Sequence, residues 1–341
     1  MASYPTRFAS TLDLARLPWF ELVDGELSLA DPALGPSIDV HTHLGMSFVL
    51  PSRIDLGRRW PATEHYLPVT SPLDLEVYAN RNFSPAELAT LGRDLTLKSL
   101  TAGGMRRTHT APNLLGEMKR LGVVGAVLLA IDLPLISDNT RRWAEAARGH
   151  DELVLFGSLH PLVADLEGTL DRQLALGIRG VKLHPAMQLF HPSGPLALRL
   201  YRACGRRGLP VLWHCGPVGI EPALGRWLTQ VEHYRAAIEK NPETTFVLGH
   251  SGALQLEAGI ELARRYDNVW LEIASQSLSG VRTILDKVDP RRVMVGSDWP
   301  FYHLAMPLAK LFIATEGAEA LRRDVQYHNA ARLLGLAPAE A

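Results

Sequence analysis

The chain has 341 residues, 47% hydrophobic and 21% charged. Its net charge of -1, from 35 basic and 36 acidic residues, excludes the basic excess that marks a nucleic-acid binder. No run of 18 apolar residues exists to span a membrane, and two cysteines, Cys204 and Cys215, cannot build a disulfide framework. The expectation is therefore a cytoplasmic protein with a small-molecule substrate, no nucleic acid and no membrane partner. The N-terminus (MASYPTRFAS) has no continuous apolar segment and does not read as a signal peptide.

Short apolar runs alternate with amphipathic segments along the chain. Residues 1–36 read as an N-terminal surface extension. The first strand is Ile38–Val40, leading into His41-Thr-His43. Residues 44–122 are too many for one crossover helix, so they read as an insertion over a rim, plus the first helix. Pro51, Pro61, Pro68 and Pro72 make its first half irregular. A helix is expected over Ser84–Thr101, with Ser84 as N-cap and Pro85 at its first position. Strand-length runs follow at Val123–Ile131, Leu153–Leu159, Ile178–His184, Leu209–Cys215, Thr245–Ser251, Val269–Ala274 and Val293–Asp298. They are rich in Val, Ile and Leu and apolar on both faces, as parallel covered strands are. Leu166–Leu176, Leu196–Arg207 and Leu254–Tyr266 carry helical periodicity. Eight strands alternating with helices predict a single-domain α/β fold, a (β/α)8 TIM barrel over residues 37–337, with all strand C-termini on one rim.

The histidines gather on that rim. His41 and His43 end strand one, His160 follows strand three, and His184, His214 and His250 close strands four, five and six. That is six of 13 histidines, where random placement would give about one. His41 and His43, two apart on a strand, point to one face, with Asp39 one layer lower. Imidazoles so paired suit zinc and similar divalent metals. Asp298 ends a wholly apolar strand, where a lone carboxylate is costly. Beside an ion it can act both as ligand and as acceptor of the proton of an attacking water.

Lys182 sits inside an apolar strand and must be modified, paired or neutralised. Carbamylation, pairing with an acid such as Glu272, and binding of a substrate carboxylate all remain open. His184 is expected in a substrate-facing position, and His160 and Trp299 are further substrate-binding candidates, with His303 a pocket-wall position. His214 and His250 precede small residues that let loops approach. Arg58, Arg59, Arg106, Arg107, His65, Tyr66 and His109 lie in the insertion; several are candidates to bind an anionic substrate, the arginines a carboxylate, with solvated surface as the default for each. His150, His233 and His328 read as surface or helix positions. Neither cysteine has the setting of a nucleophile.

The stretches IDVHTHLG, GIRGVKLHP, LPVLWHCG, FVLGHSG, VMVGSDWP and HNAARLLGL occur in this order over residues 37 to 337. The set resembles the amidohydrolase superfamily, in the branch that groups metal-dependent hydrolases with aminocarboxymuconate-semialdehyde decarboxylase and aromatic-acid decarboxylases. The resemblance implies His41, His43 and Asp298 as metal ligands, with Asp298 also the catalytic proton acceptor. It implies His214 as the strand-five ligand and His250 as a catalytic residue or ligand. In two-metal members a carbamylated strand-four lysine, here Lys182, joins the strand-five and strand-six histidines at a second ion. The resulting expectation is one or two divalent ions, zinc foremost, and hydrolysis of an amide, ester or lactone. Non-oxidative decarboxylation of an aromatic or unsaturated acid is the alternative. A homodimer is the default oligomer.

Overall fold

The computed structural model describes residues 4–47, 53–133 and 136–336. Pro51 and residue 337, named above, lie outside them. The eight strands are β1 (Ser37–Thr42), β2 (Val123–Leu129), β3 (Leu153–Ser158), β4 (Gly180–Leu183), β5 (Val211–His214), β6 (Phe246–Gly249), β7 (Val269–Glu272) and β8 (Val293–Met294). They form one parallel sheet in sequential order. The sheet closes on itself between β1 and the segment after β8. Val40 N–H donates to Val295 O at 2.9 Å, Asp298 N–H to His41 O at 2.8 Å, and His43 N–H to Trp299 O at 2.7 Å. The chain is a (β/α)8 barrel, as the strand count predicts.

At least one helix follows each strand, the principal ones being α1 (Ala111–Arg120), α2 (Asn139–Ala147), α3 (Leu166–Leu174), α4 (Pro195–Gly205), α5 (Arg235–Lys240), α6 (Leu256–Arg265), α7 (Leu278–Lys287) and α8 (Ala305–Ala314). Alternation along the strands sorts two apolar layers. Val211 and Trp213 pack in the larger cluster that takes in the helices. Leu212, with Ile38, Val127, Val154, Val247 and Met294, belongs to a second cluster shared across the barrel. Lys182 and Glu272 fall on this inner alternation, one residue from Val181 and Leu271 of the outer layer.

β1 carries an extra residue between Asp39 and Thr42 relative to β2. Such a bulge re-aims side chains locally. The Asp39 carboxylate is spent at the closing seam, where its Oδ1 accepts from His41 N–H at 2.9 Å and Ser297 N–H at 3.0 Å.

The insertion is docked rather than loose. Its helix, Pro85–Leu95, has the expected cap: Ser84 and Glu87 exchange hydrogen bonds in a capping box, with Pro85 at the first position. It ends at Leu95 rather than Thr101, and a separate 3-10 turn, Lys98–Leu100, follows. The extension contributes the buried Phe8, Leu14, Leu17, Phe20 and Leu27, and Arg7–Phe8 pairs antiparallel with Leu73–Asp74 of the insertion. Among the described residues no helix is long and apolar enough to cross a membrane.

A candidate metal centre on the C-terminal rim

β1 delivers His41 and His43 to the barrel mouth, and the segment after β8 brings Asp298 against them. His43 Nε2 lies 3.3 Å and His41 Nε2 3.5 Å from Asp298 Oδ1. Ordinary charge-assisted hydrogen bonds are shorter, about 2.7–2.9 Å. Two donors held about 2.0–2.1 Å from one tetrahedral ion stand about 3.3–3.4 Å apart. The three ligand atoms, all within 4.8 Å of one another, therefore have the spacing of a metal site.

The far nitrogens of both rings are fixed, which leaves the near ones bare. His43 Nδ1 donates to Leu129 O at 2.9 Å. A carbonyl only accepts, so Nδ1 carries the proton and Nε2 offers a lone pair. His41 Nδ1 donates to Glu272 Oε1 at 2.9 Å. Carboxylate and carbonyl partners of this kind orient ligating imidazoles and raise their basicity. Burial pushes the pKa values of His41, His184 and His214 well below the ordinary histidine value, and that of His250 to about 4. Neutral imidazoles are the form a metal takes. The donor set thus fits a divalent ion by chemistry and spacing.

Further buried groups surround these three. The His250 ring lies 4.7 Å from that of His41 and 4.9 Å from that of His214. Among the described residues His250 Nδ1 has no hydrogen-bond partner, and neither does Lys182 Nζ. Lys182 is 1% exposed. Burial lowers its pKa, against the opposing charges of Asp298 and Glu272. Burial raises the pKa of Glu272, against the N–H groups of His250 and Ala274 that it accepts. His184 stacks flat on His214 with centroids 3.9 Å apart and is partly exposed, at the edge of the opening.

The backbone is strained where it presents these residues. His250, Ser251, Ala253, Ser275 and Asp298 all have φ between +50° and +63°. Non-glycine residues rarely adopt this region, and such strain collects at functional sites. The turn after β6 is held from several sides. Gln276 Nε2 donates to His250 O at 2.6 Å and Ala253 O at 3.0 Å, and Ser251 Oγ donates to Glu272 O at 2.7 Å. Gly216 lets the turn come close, since a Cβ there would sit 1.9 Å from Gly252 O.

The candidates named from sequence separate here. His41, His43, Lys182, His214 and His250 share one buried neighbourhood, with Asp298 and His184 at its partly exposed edge. His160 stands apart: its Nε2 donates to Gln188 O at 2.6 Å and its Nδ1 accepts from Leu162 N–H at 3.1 Å, so both nitrogens serve the loop. Trp299 is wholly buried and donates its Nε1 to Glu117 Oε2 at 3.1 Å. Its ring lies 5.9 Å from that of His109 and 6.4 Å from that of His65. His303 is buried beside the same carboxylate, 3.6 Å from Glu117 Oε1.

In VWLEIA one acid reads equally well toward axis or helix, so the sequence alone does not place Glu272. Glu117 was not singled out at all, since an acid in an amphipathic helix ordinarily faces solvent. His65, Tyr66, Arg106 and His109 correct the solvated default for the insertion: all four are buried. Arg106 donates to the carbonyls of Met46, Lys98 and Thr101. The insertion lies across the mouth, with Ala79 N–H donating to Ser275 O at 2.8 Å and Asn80 Nδ2 to Val218 O at 3.0 Å.

Residues 38–336 match the profile of the amidohydrolase family, and the chain belongs to that family. Solved structures share the fold at low identity. An amidohydrolase from Burkholderia multivorans with bound zinc is 15% identical, with TM-score 0.60, over 89% of this chain and 100% of that one. A putative 2-pyrone-4,6-dicarboxylic acid hydrolase from Pseudomonas putida is 19% identical, with TM-score 0.57, over 89% and 99%. A 2,6-dihydroxybenzoate decarboxylase from Rhizobium is 17% identical, with TM-score 0.54, over 87% and 99%. A search of curated proteins returned no match.

Proposed function

We propose that the chain is a metal-dependent hydrolase that uses water to cleave the C–N or C–O bond of a small-molecule amide, ester or lactone. The observation that carries this reading is the convergence of His41 Nε2, His43 Nε2 and Asp298 Oδ1 at metal-ligand spacing. These three residues would hold the first ion, with zinc the metal proposed. When bound, a divalent ion supplies Lewis acidity and lowers the pKa of water toward neutrality.

The chain's own groups then divide the work. Asp298 takes the proton from the attacking water and returns it to the leaving nitrogen or oxygen. His250, with Nδ1 unengaged, and the Lys182 ammonium stabilise the negative charge that develops on the substrate oxygen. His184 meets the substrate at the partly open edge. A second ion would need Lys182 as its carbamate, together with His214 and His250. The buried, unpaired Cys204 and Cys215 suit a reducing cytoplasm.

The second reading is a decarboxylase, and one observation favours it: Lys182 Nζ is buried, makes no hydrogen bond among the described residues, and is able as a cation to hold a substrate carboxylate. The insertion arginines considered from sequence do not supply that cation. Arg58 and Arg107 stack on Trp60, Arg59 binds Pro112 O and Arg106 is consumed by carbonyls.

A substrate panel separates the two. Purified protein reconstituted with zinc is expected to release acid from members of an ester, lactone and amide set, and no carbon dioxide from aromatic or unsaturated carboxylic acids. Carbon dioxide release without any hydrolysis would contradict the hydrolase reading. Metal content of Lys182→Ala tests the second ion: a loss of half the bound metal supports the carbamate, and an unchanged content rejects it.

A further inference from the structure

The insertion reaches the barrel mouth through one short segment. Tyr78 precedes its 3-10 turn, Ala79–Asn82. Hydrogen bonds tie this segment to the chain beyond three strands. Ala79 N–H donates to Ser275 O at 2.8 Å, and Leu278 N–H donates to Leu75 O at 2.7 Å, both beyond β7. Asn80 Nδ2 donates to Val218 O at 3.0 Å, beyond β5. Asn80 Oδ1 accepts from the hydroxyl of Tyr302, in the segment after Asp298. Tyr78 therefore stands where the insertion meets the ends of β7 and β8, which carry Glu272 and Asp298.

Tyr78 is 7% exposed, and among the described residues its hydroxyl has no hydrogen-bond partner. A buried hydroxyl left unpaired is destabilising, and each such group calls for a reason. Burial pushes the phenol pKa well above the ordinary tyrosine value. The charges of Tyr302, Asp298 and Glu272 add to the rise, and the Ser275 hydroxyl opposes it. The phenol is thus a neutral donor near the acids of the site. Tyr302 also feels the charge of Asp298, but its hydroxyl is spent on Asn80. Tyr201 is the other tyrosine with an unpaired hydroxyl among the described residues. Its ring packs edge-on against Trp213 and Phe246, at 5.1 and 5.5 Å, in the layer between strands and helices. Only Tyr78 combines an unpaired hydroxyl with a place at the mouth.

We infer that Tyr78 is a catalytic residue supplied by the insertion, whose hydroxyl donates a hydrogen bond to the substrate oxygen on which negative charge develops. The inference rests on the proposed hydrolysis in taking that oxygen to be the one on the scissile carbonyl. The proton stays on Tyr78 Oη throughout, and no bond of the side chain forms or breaks. Proton transfer remains with Asp298. A donor fixed in a site that excludes water stabilises developing charge without having to reorganise. The bound substrate then supplies the partner that the hydroxyl lacks in the free chain. His250 and Lys182 approach from β6 and β4. Tyr78 comes from the insertion, which gives the covering segment a part in the chemistry as well as in closing the mouth.

Tyr78→Phe keeps the ring and removes only the hydroxyl. The full-length variant, reconstituted with zinc, is compared with wild type on the best ester, lactone or amide of the substrate panel. Its zinc content is expected to be unchanged. Its urea midpoint is expected to equal or exceed that of wild type, because no partner is left behind. Its kcat is expected to fall about 100-fold, as on loss of one oxyanion donor, with KM within about twofold. A lowered urea midpoint, a lowered zinc content, or a kcat within about twofold of wild type overturns the inference. Carbon dioxide release by the wild type in place of acid overturns the hydrolase reading instead. The same comparison is then made on that release, and the same results decide the role of Tyr78.

Discussion

His41 Nδ1 and Glu272 Oε1 stand 2.9 Å apart, with both side chains almost wholly enclosed. The carboxylate also accepts the backbone N–H groups of His250 and Ala274, so three rim segments are tied to one buried acid. Room for it comes from Gly296, where a Cβ would sit 2.3 Å from Glu272 Oε2. Glu272 therefore sets the ring orientation of His41 and the start of the turn that carries His250. Glu272→Gln is expected to weaken metal affinity by about 10–100-fold, the usual effect of losing a partner behind a ligand. Competition with a chelator of known affinity measures this, and affinity unchanged within about twofold would remove Glu272 from the account.

Gln276 closes the left-handed turn through His250 O and Ala253 O, and Lys310 Nζ in turn donates to Gln276 O at 2.6 Å. Gln276→Leu leaves two buried carbonyls without donors, at about 1–3 kcal/mol each. Urea unfolding should show the loss. Turnover should fall further than the stability loss explains, because the turn that presents His250 relaxes; normal turnover in a destabilised variant would make Gln276 purely structural.

Lys310 also predicts a pH dependence. Burial pushes its pKa down to about 7, against the charges of Glu76 and Asp74. The unfolded chain, with an ordinary lysine near 10.4, binds the proton more tightly than the folded one. Stability therefore rises with pH between about 7 and 10 as the buried amine sheds its charge, by on the order of 2 kcal/mol from pH 7 to 9. Lys310→Met is expected to flatten this rise, which paired denaturant titrations at the two pH values would detect. An equal rise in both proteins would assign it elsewhere.

Glu117 is the counterpart of Glu272 on the other side of the site. It accepts from Trp299 Nε1 at 3.1 Å and Leu304 N–H at 2.9 Å and meets His65 Nε2 at 3.1 Å, which pins the segment that follows Asp298. Glu117→Ala is expected to cost about 3 kcal/mol or more, as removal of one member of a buried charged network does. A thermal melt of the variant within a degree or two of wild type would contradict this.

The barrel was legible because each strand is a short apolar run, and several end in a chemically distinct residue. The rim histidines and Asp298 stood out for the same reason: polar groups at the ends of apolar strands need a purpose. The carboxylates behind them were harder to see. Glu272 lies within a strand where the acid alone does not say which face is inward. Glu117 lies on a helix, where only the packing of residues 65 and 299–304 reveals that its face is enclosed. The buried Arg106 and His109 were missed because three-dimensional docking of the insertion, not local pattern, removes them from solvent. The bulge in β1 was also invisible to simple alternation, so Asp39 serves the seam.

The most direct test of the central claim is the metal content of purified protein, by inductively coupled plasma mass spectrometry, for wild type beside His41→Ala, His43→Ala and Asp298→Asn. The account predicts at least one divalent ion per wild-type chain and its loss from all three variants, with folding retained. A wild-type chain that binds no divalent metal, or variants that keep the full wild-type content, would contradict it.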